Sequence, residues 1–276
     1  MKDNKDAEMN LAICSLSSGS SGNSYVIYSD KGALLIDAGI SAKQICLGLD
    51  KLGIDPRRLD AVLVTHEHSD HIKGLPVLAK KTDACLYATS KTLECIEDKN
   101  EFTRHSIEAG DRFTIADMEV RSFAVSHDAA DPVGYSVTCC GSCISVVTDT
   151  GVVTQDILEI MAKSDILVLE SNHDESVLRV GSYPWFLKQR ILGDKGHLSN
   201  DSAAKAIAGV LREEAKKGCV KKRQLLLAHL SKENNFPEMA LMTMENILEE
   251  EEVHAADVKV EVLPRSEISP VYSVRG

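Results

Sequence analysis

Aromatic residues are scarce in this chain, 4 % of 276 positions with one tryptophan, and no apolar run approaches the about 20 residues of a membrane span. The strongest runs, ALLI, AVLV, ILVL and LLLA, stop at strand length. Eight cysteines are too sparse for a disulfide scaffold, and the opening MKDNKDAEMN lacks the apolar stretch of a secretory signal. Reduced thiols and a cytoplasmic location are therefore expected. Seventeen glycines and seven prolines exclude a collagen-like or low-complexity chain. Positive charge is in deficit too: 31 basic against 42 acidic residues give a net charge of −11. Any nucleic-acid contact must then use a local basic patch against an unfavourable overall field.

What is present is ordinary globular material, 43 % hydrophobic and 26 % charged, long enough for a large core. Residues 1 to 10 are polar without period and read as a disordered tail, followed by a single domain over 11–276. Short apolar runs predict strands near 11–16, 24–29, 33–37, 61–65, 84–87, 112–115, 118–125, 133–139, 143–148, 166–170 and 224–228. Amphipathic stretches predict helices near 41–52, 72–80, 90–97, 153–163, 200–217 and 237–251. Strands buried on both faces with peripheral helices mean a layered α/β or α+β fold. An internal echo supports this. ALLIDAG (33–39) and SVVTDTG (145–151) are both strands ending in Asp-x-Gly, and LDAVLVTHEH (59–68) rhymes with SDILVLESNH (164–173). Two such halves facing each other would bring four strand ends to one edge, where a site is expected. Region 171–199, with Tyr183, Trp185 and Phe186 among Lys188 and Arg190, reads as an insertion over that site.

The sharpest signal is Thr65-His66-Glu67-His68-Ser69-Asp70-His71, directly after the strand AVLV. Three imidazoles and Asp70 in six residues cost folding energy unless something holds them, and a metal does. His66 and His68 can point the same way from an extended segment, while Asp70 and His71 can turn to a second point, a pattern suited to two ions. Closing ligands must come from elsewhere. His127, Asp149 and His229 each sit just past an apolar run, and Asp149, with two oxygens, is the natural bridge between two cations.

With these residues the chain resembles the metallo-β-lactamase fold hydrolases, from about residue 11 onward. The resemblance implies an αββα sandwich with two divalent ions of zinc, manganese or iron. One would be held by His66, His68 and His127, the other by Asp70, His71 and His229, with Asp149 shared. Asp37, in LIDAG (35–39), matches a carboxylate that orients ligands. Closer still is the likeness to the YycJ (WalJ) branch, related to PhnP-type phosphodiesterases and to RNase Z and RNase J. It rests on SSGSSGNS (17–24), THEHSDHIKG (65–74), SHDA (126–129), TDTG (148–151), LESNHD (169–174), YPWFLKQRI (183–191), GHLSN (196–200) and AHLS (228–231). That branch implies a 5′-to-3′ exonuclease on double-stranded DNA with a role in mismatch repair. Alternatives are a small-molecule or cyclic phosphodiesterase, an RNA-processing nuclease, or a metal-stabilised binding module without catalysis.

His197 lies at a helix start, where Ser199 or Asn200 is a suitable cap. The likeness to PhnP-type enzymes implies a catalytic acid or a scissile-phosphate contact there, and acid work suits an imidazole near neutral pH. Glu170, Asn172, His173 and Asp174 either line the site or end a strand. The candidate substrate contacts are Ser21, Asn23, Asn172, His173, Arg190, Ser199 and Asn200. The basic run Lys216, Lys217, Lys221, Lys222 and Arg223 and the cations of the insertion suit a phosphate backbone, with aromatics for a stacked base. Cys140 and Cys143 frame Gly141-Ser142, a two-residue hairpin turn beside Cys139. His105 and His254 read as surface residues.

Overall fold

Nearly every apolar run becomes a strand buried on both faces in the computed structural model, which describes residues 11–97, 102–218, 221–251 and 258–274. The expected tail, 1–10, and His254 lie outside the described residues. In chain order the first half holds β1 (Leu11–Ser17), β2 (Ser24–Tyr28), β3 (Ala33–Ile36), α1 (Ala42–Lys51), β4 (Ala61–Leu63), α2 (Ser69–Ile72), α3 (Leu75–Leu78), β5 (Cys85–Thr89), α4 (Ser90–Cys95) and β6 (Thr103–Ile107). Then follow β7 (Arg112–Ile115), β8 (Met118–Ala124), β9 (Val133–Cys139), β10 (Ser142–Val147), α5 (Gln155–Lys163), β11 (Ile166–Glu170), α6 (Glu175–Val180) and α7 (Trp185–Leu192). The chain closes with α8 (Asn200–Lys216), β12 (Arg223–Ala228), α9 (Pro237–Glu250), β13 (Val258–Val262) and β14 (Tyr272–Val274).

The strands form two seven-stranded sheets, ordered β14-β1-β2-β3-β4-β5-β6 and β13-β12-β11-β10-β9-β8-β7. Alternation along each strand builds four layers. Leu34 and Ile36, Ile166 and Val168, Leu226 and Ala228 meet between the sheets. Leu35 faces outward onto Ile45 and Leu49 of α1. Leu167, Leu169, Leu225 and Leu227 face Ile157, Ile207, Ala204 and Met244 of α5, α8 and α9. This is the αββα sandwich, and it explains why the strand sequences are continuously apolar.

The internal echo is a structural repeat. β3 pairs parallel with β4, and β10 parallel with β11, so Asp37, the 65–71 loop, Asp149 and Glu170 all emerge at carboxyl ends of strands. The sheets are tied near that edge, where Tyr135 Oη donates to Val64 O at 2.9 Å and Val133 N to Thr65 O at 3.0 Å.

Local expectations shift in four places. The helix read over 72–80 is two short ones, because Gly74 packs so closely on Ile40 that a Cβ would meet its carbonyl at 2.2 Å, and Pro76 opens α3. The hairpin turn is Cys140-Gly141, both at positive φ (50° and 84°), with Cys139 paired to Ser142. A two-residue turn of this hand needs left-handed backbone at both positions. His105 is exposed but stacks on Tyr87 at 4.6 Å. β6, β13 and β14 carry no long apolar run, since each has a solvent-facing side.

Candidate metal centre

Three of the polar residues that end strands here have left-handed backbone: Asp37 (φ 60°), Asp149 (φ 56°) and His229 (φ 57°). Such φ values are uncommon outside glycine and persist only where tertiary contacts over-determine them. For His229 those contacts are explicit. Ser18 Oγ accepts from its N–H at 2.9 Å, and Asn172 Nδ2 donates to its carbonyl at 2.9 Å. Gly39 completes the first motif by close approach, since a Cβ there would lie 1.6 Å from the Asp70 carbonyl. Next to it Asn23 N donates to that same carbonyl at 2.8 Å, fixing the loop that carries the histidines.

These turns bring six imidazoles, those of His66, His68, His71, His127, His197 and His229, into one cluster. Ring centroids lie 4.6 Å apart for His66 and His68, 4.1 Å for His66 and His71, and 5.0 Å for His66 and His127. His71 and His229 are 6.1 Å apart. Four overlapping sets of donor atoms lie close enough to share an ion: His66, His68 and His127; Asp70, His71 and His229; His66, His71 and Asp149; and Asp149, Glu170, His197 and His229.

The outward nitrogens are oriented from behind. Asp37 accepts from His71 Nδ1 at 2.8 Å and is held by Thr65 N and Oγ1 at 2.8 and 2.9 Å. Gly196 O lies 3.2 Å from His127 Nδ1, and Thr65 Oγ1 3.0 Å from His66 Nδ1. In each case Nε2 is turned toward the centre, with Asn23 Nδ2 also 3.1 Å from that of His71. His66 Nε2, His229 Nε2 and Asp149 Oδ2 are buried with no hydrogen-bond partner in the protein. Buried lone pairs left like this are costly unless a ligand completes them, and imidazole with carboxylate suits a divalent transition metal. The residues fit a two-ion site.

Electrostatics agrees. Burial alone would push Asp149 up, but His229, His71, His66 and His127 around it outweigh that and hold it well below the usual carboxylate range. Burial likewise opposes charge on His71 and His229, yet Asp37 and Asp149 raise the first to about 9, and Asp149 and Glu170 the second to about 10. His66, desolvated and beside His71, falls well below its ordinary value. Such a field favours cations, and protons and metal compete for the same nitrogens.

Comparison with known proteins places this geometry. Residues 33–217 match the family model described as beta-lactamase superfamily domain. The chain is 43 % identical over 248 residues to the exodeoxyribonuclease WalJ of Streptococcus pneumoniae, covering 88 % of this chain and 90 % of that one. It is 39 % identical over 264 residues to the exodeoxyribonuclease YycJ of Bacillus anthracis, covering 91 % and 97 %. The chain belongs to the metallo-β-lactamase superfamily and, within it, to the WalJ/YycJ family. The fold likeness extends to the metallo-β-lactamase fold protein YhfI of Bacillus subtilis, with a TM-score of 0.68 at 14 % identity over 96 % of this chain and all of that one.

In this WalJ/YycJ-family chain the centre opens into a cleft of about 240 Å³, lined by Ser20, His68, Asp70, His127, Asp149 and His229. Region 171–199 closes its other side with Asn172, Tyr183, Leu187, Arg190, Ile191 and His197. The insertion thus lies over the site as read from sequence. His197 is set by Gly196, where a Cβ would meet Ile191 O at 2.1 Å.

Of the candidate substrate contacts, Asn172 and Arg190 reach the cleft, and Arg190 is ion-paired to Asp128. The rest are placed differently. Ser20, not Ser21, lines the wall. Asn23 is fully buried, its Nδ2 3.1 Å from His71 Nε2, the nitrogen that faces the candidate centre. Ser199 caps α8 by accepting from Ser202 N at 3.1 Å, and Asn200 is locked to Ser171 and Asn235. His173 is buried with neither nitrogen hydrogen-bonded, and desolvation pulls it down to about 4. Asp174 caps α6.

Glu170 is the functional candidate that sequence left open. It is fully buried, and its Oε1 lies 2.7 Å from His197 Nδ1 and 2.8 Å from His229 Nδ1. Thr150 N and Leu198 N donate to Oε2 at 3.0 and 3.2 Å. The two imidazoles outweigh its burial and bring it down to about 2, so it stays ionised. A Glu ending the apolar strand ILVLE was the available signal, because a buried strand tolerates such a residue only with partners.

Proposed function

We propose that this chain is a two-metal phosphodiesterase acting on DNA, a 5′-to-3′ exonuclease on double-stranded ends. The observation that carries the reading is the union, in one cleft, of a two-ion ligand set with a histidine aimed by a buried carboxylate. His66, His68 and His127 would hold one ion and Asp70, His71 and His229 the other, with Asp149 between them and Asp37 orienting His71. Bound there, zinc, manganese or iron would supply Lewis acidity and an activated water. With His197 Nδ1 committed to Glu170, its Nε2 is the nitrogen that serves the cleft. As the P–O bond breaks, a proton from Nε2 passes to the leaving oxygen, while Glu170 holds the ring through Nδ1. Asn172 and Arg190 position the phosphate.

The DNA assignment follows the named activity of the two relatives that match along most of their length. Removing a strand from an end is also what mismatch repair requires, so that is the expected setting, in the cytoplasm. No helix among the described residues is long and apolar enough to cross a membrane. Residues 11–276 are proposed to act as one domain, because both halves contribute ligands.

A small-ester reading is favoured by one observation, the modest volume of the cleft. Degradation of a 5′-labelled linear duplex with added manganese, beside a cyclic nucleotide and an aryl phosphodiester, separates the two. Progressive loss of duplex from the 5′ end is expected. Turnover of the small esters alone would overturn the DNA assignment and leave the metal chemistry standing.

A further inference from the structure

The three most exposed large hydrophobic residues among those described are Val180 (86 %), Phe186 (73 %) and Trp185 (68 %), all in one seven-residue stretch of the insertion. Their sequence neighbours Tyr183, Leu187 and Arg190 line the cleft. Phe186 and Arg190 are four residues apart on α7, so they share a helix face at the mouth of the site. Aromatic side chains exposed like this lose favourable burial and mark a binding surface when they cluster.

Three of the neighbouring cations are already partnered. Arg190 is paired with Asp128, Arg179 with Glu175, and Lys188 donates to the carbonyls of Arg179 and Gly181 at 2.8 and 2.7 Å. The chain as a whole carries −11. Binding of DNA beside the cleft can therefore draw on base stacking as well as on charge, and the exposed rings of Trp185 and Phe186 lie within two residues of the cleft-lining Leu187. At about 240 Å³ the cleft is far smaller than a stretch of duplex, so on this reading only part of one strand enters it.

Resting on the DNA reading above, the geometry points to Trp185 and Phe186 as a stacking platform for the nucleobases of the strand entering the cleft, holding it parted from its complement. The occupant is a single DNA strand, recognised through base faces rather than sequence. Stacking of this kind tolerates any base.

Trp185 is the single tryptophan, so its fluorescence reports the contact directly. The first arm titrates the metal-loaded protein with a phosphorothioate oligodeoxynucleotide, which resists cleavage, and with an abasic strand of equal length. Saturable quenching by the first and not the second is expected. No quenching, or equal quenching by both, overturns the proposal.

The second arm compares wild type, Trp185→Ala/Phe186→Ala and Trp185→Tyr/Phe186→Tyr on duplex DNA, with rates referred to hydrolysis of bis(4-nitrophenyl) phosphate. A rise in KM for DNA of about tenfold or more, the scale of one lost base stack, with kcat held and KM restored by the tyrosine pair, is expected. On a duplex with an unpaired 5′ end the deficit should shrink. An unchanged KM overturns the proposal, as does conversion of a dimer to a monomer by the alanine pair, which would make the patch an interface between copies. If wild type cleaves no DNA the nuclease reading fails, while the quenching arm still decides this one.

Discussion

Asp149 holds a left-handed turn, lies among the cluster of imidazoles and leaves Oδ2 without a protein partner. Its replacement by Asn keeps the shape but removes the charge and one donor oxygen. Asp149→Asn and His68→Ala are expected to abolish hydrolysis and to lower metal content by elemental analysis. His197 contrasts with them because its Nδ1 is bound to Glu170. His197→Ala should cut kcat about 10²- to 10⁴-fold, the usual worth of a positioned acid, with metal retained. The loss should shrink on aryl esters, whose leaving group needs no proton. Glu170→Gln should reproduce that leaving-group dependence, and metal loss in the His197 variant would overturn the acid assignment. The clustering of histidines was legible in the sequence because three crowd one loop. Glu170 was not, because its role depends on two histidines 27 and 59 positions away.

At the level of elements, the basic run between α8 and β12 shows how composition and position diverge. Arg223 is buried, donating to Glu214 Oε1 at 2.6 Å and Ala162 O at 3.3 Å, and Lys221 reaches Asp165 Oδ1 at 2.9 Å. The run begins β12, whereas His229 follows its far end, about 20 Å away at the rise of a strand. That separation exceeds the Debye length of about 8 Å at physiological salt. Lys221→Ala/Lys222→Ala is therefore expected to leave the salt dependence of DNA binding unchanged. Arg223→Ala should destabilise the fold by about 3 kcal/mol in chemical denaturation, because it removes a buried guanidinium and leaves the half-buried Glu214 without its cation. A steeper loss of DNA affinity than of stability would return these residues to the substrate path.

Across the whole molecule, the centre draws on both sheets. His66, His68, Asp70 and His71 follow β4 of one sheet, while His127, Asp149 and His229 follow β8, β10 and β12 of the other. Metal bound there would stitch the two halves together. Ligand that binds only the folded state stabilises it by about 4 kcal/mol at a thousandfold excess over Kd. Chelation should accordingly lower Tm by several degrees in calorimetry, and restored manganese or zinc should recover it. A Tm indifferent to chelator would mean that the ligand set does not hold an ion in the folded protein.

Local patterns were enough for the layered sandwich and for most of the residues gathered at the candidate metal centre. Short apolar runs between turn residues read as strands buried on both faces, although Leu75–Leu78 is a helix, and histidines packed within one loop point to a cation. Contacts distant in the chain decided the remainder. Asn200 and Arg223 became structural, Glu170 became part of the site, and the turn at Cys140 moved by one residue. A polar side chain's role depends on its partners, and those partners are set by how the two sheets meet.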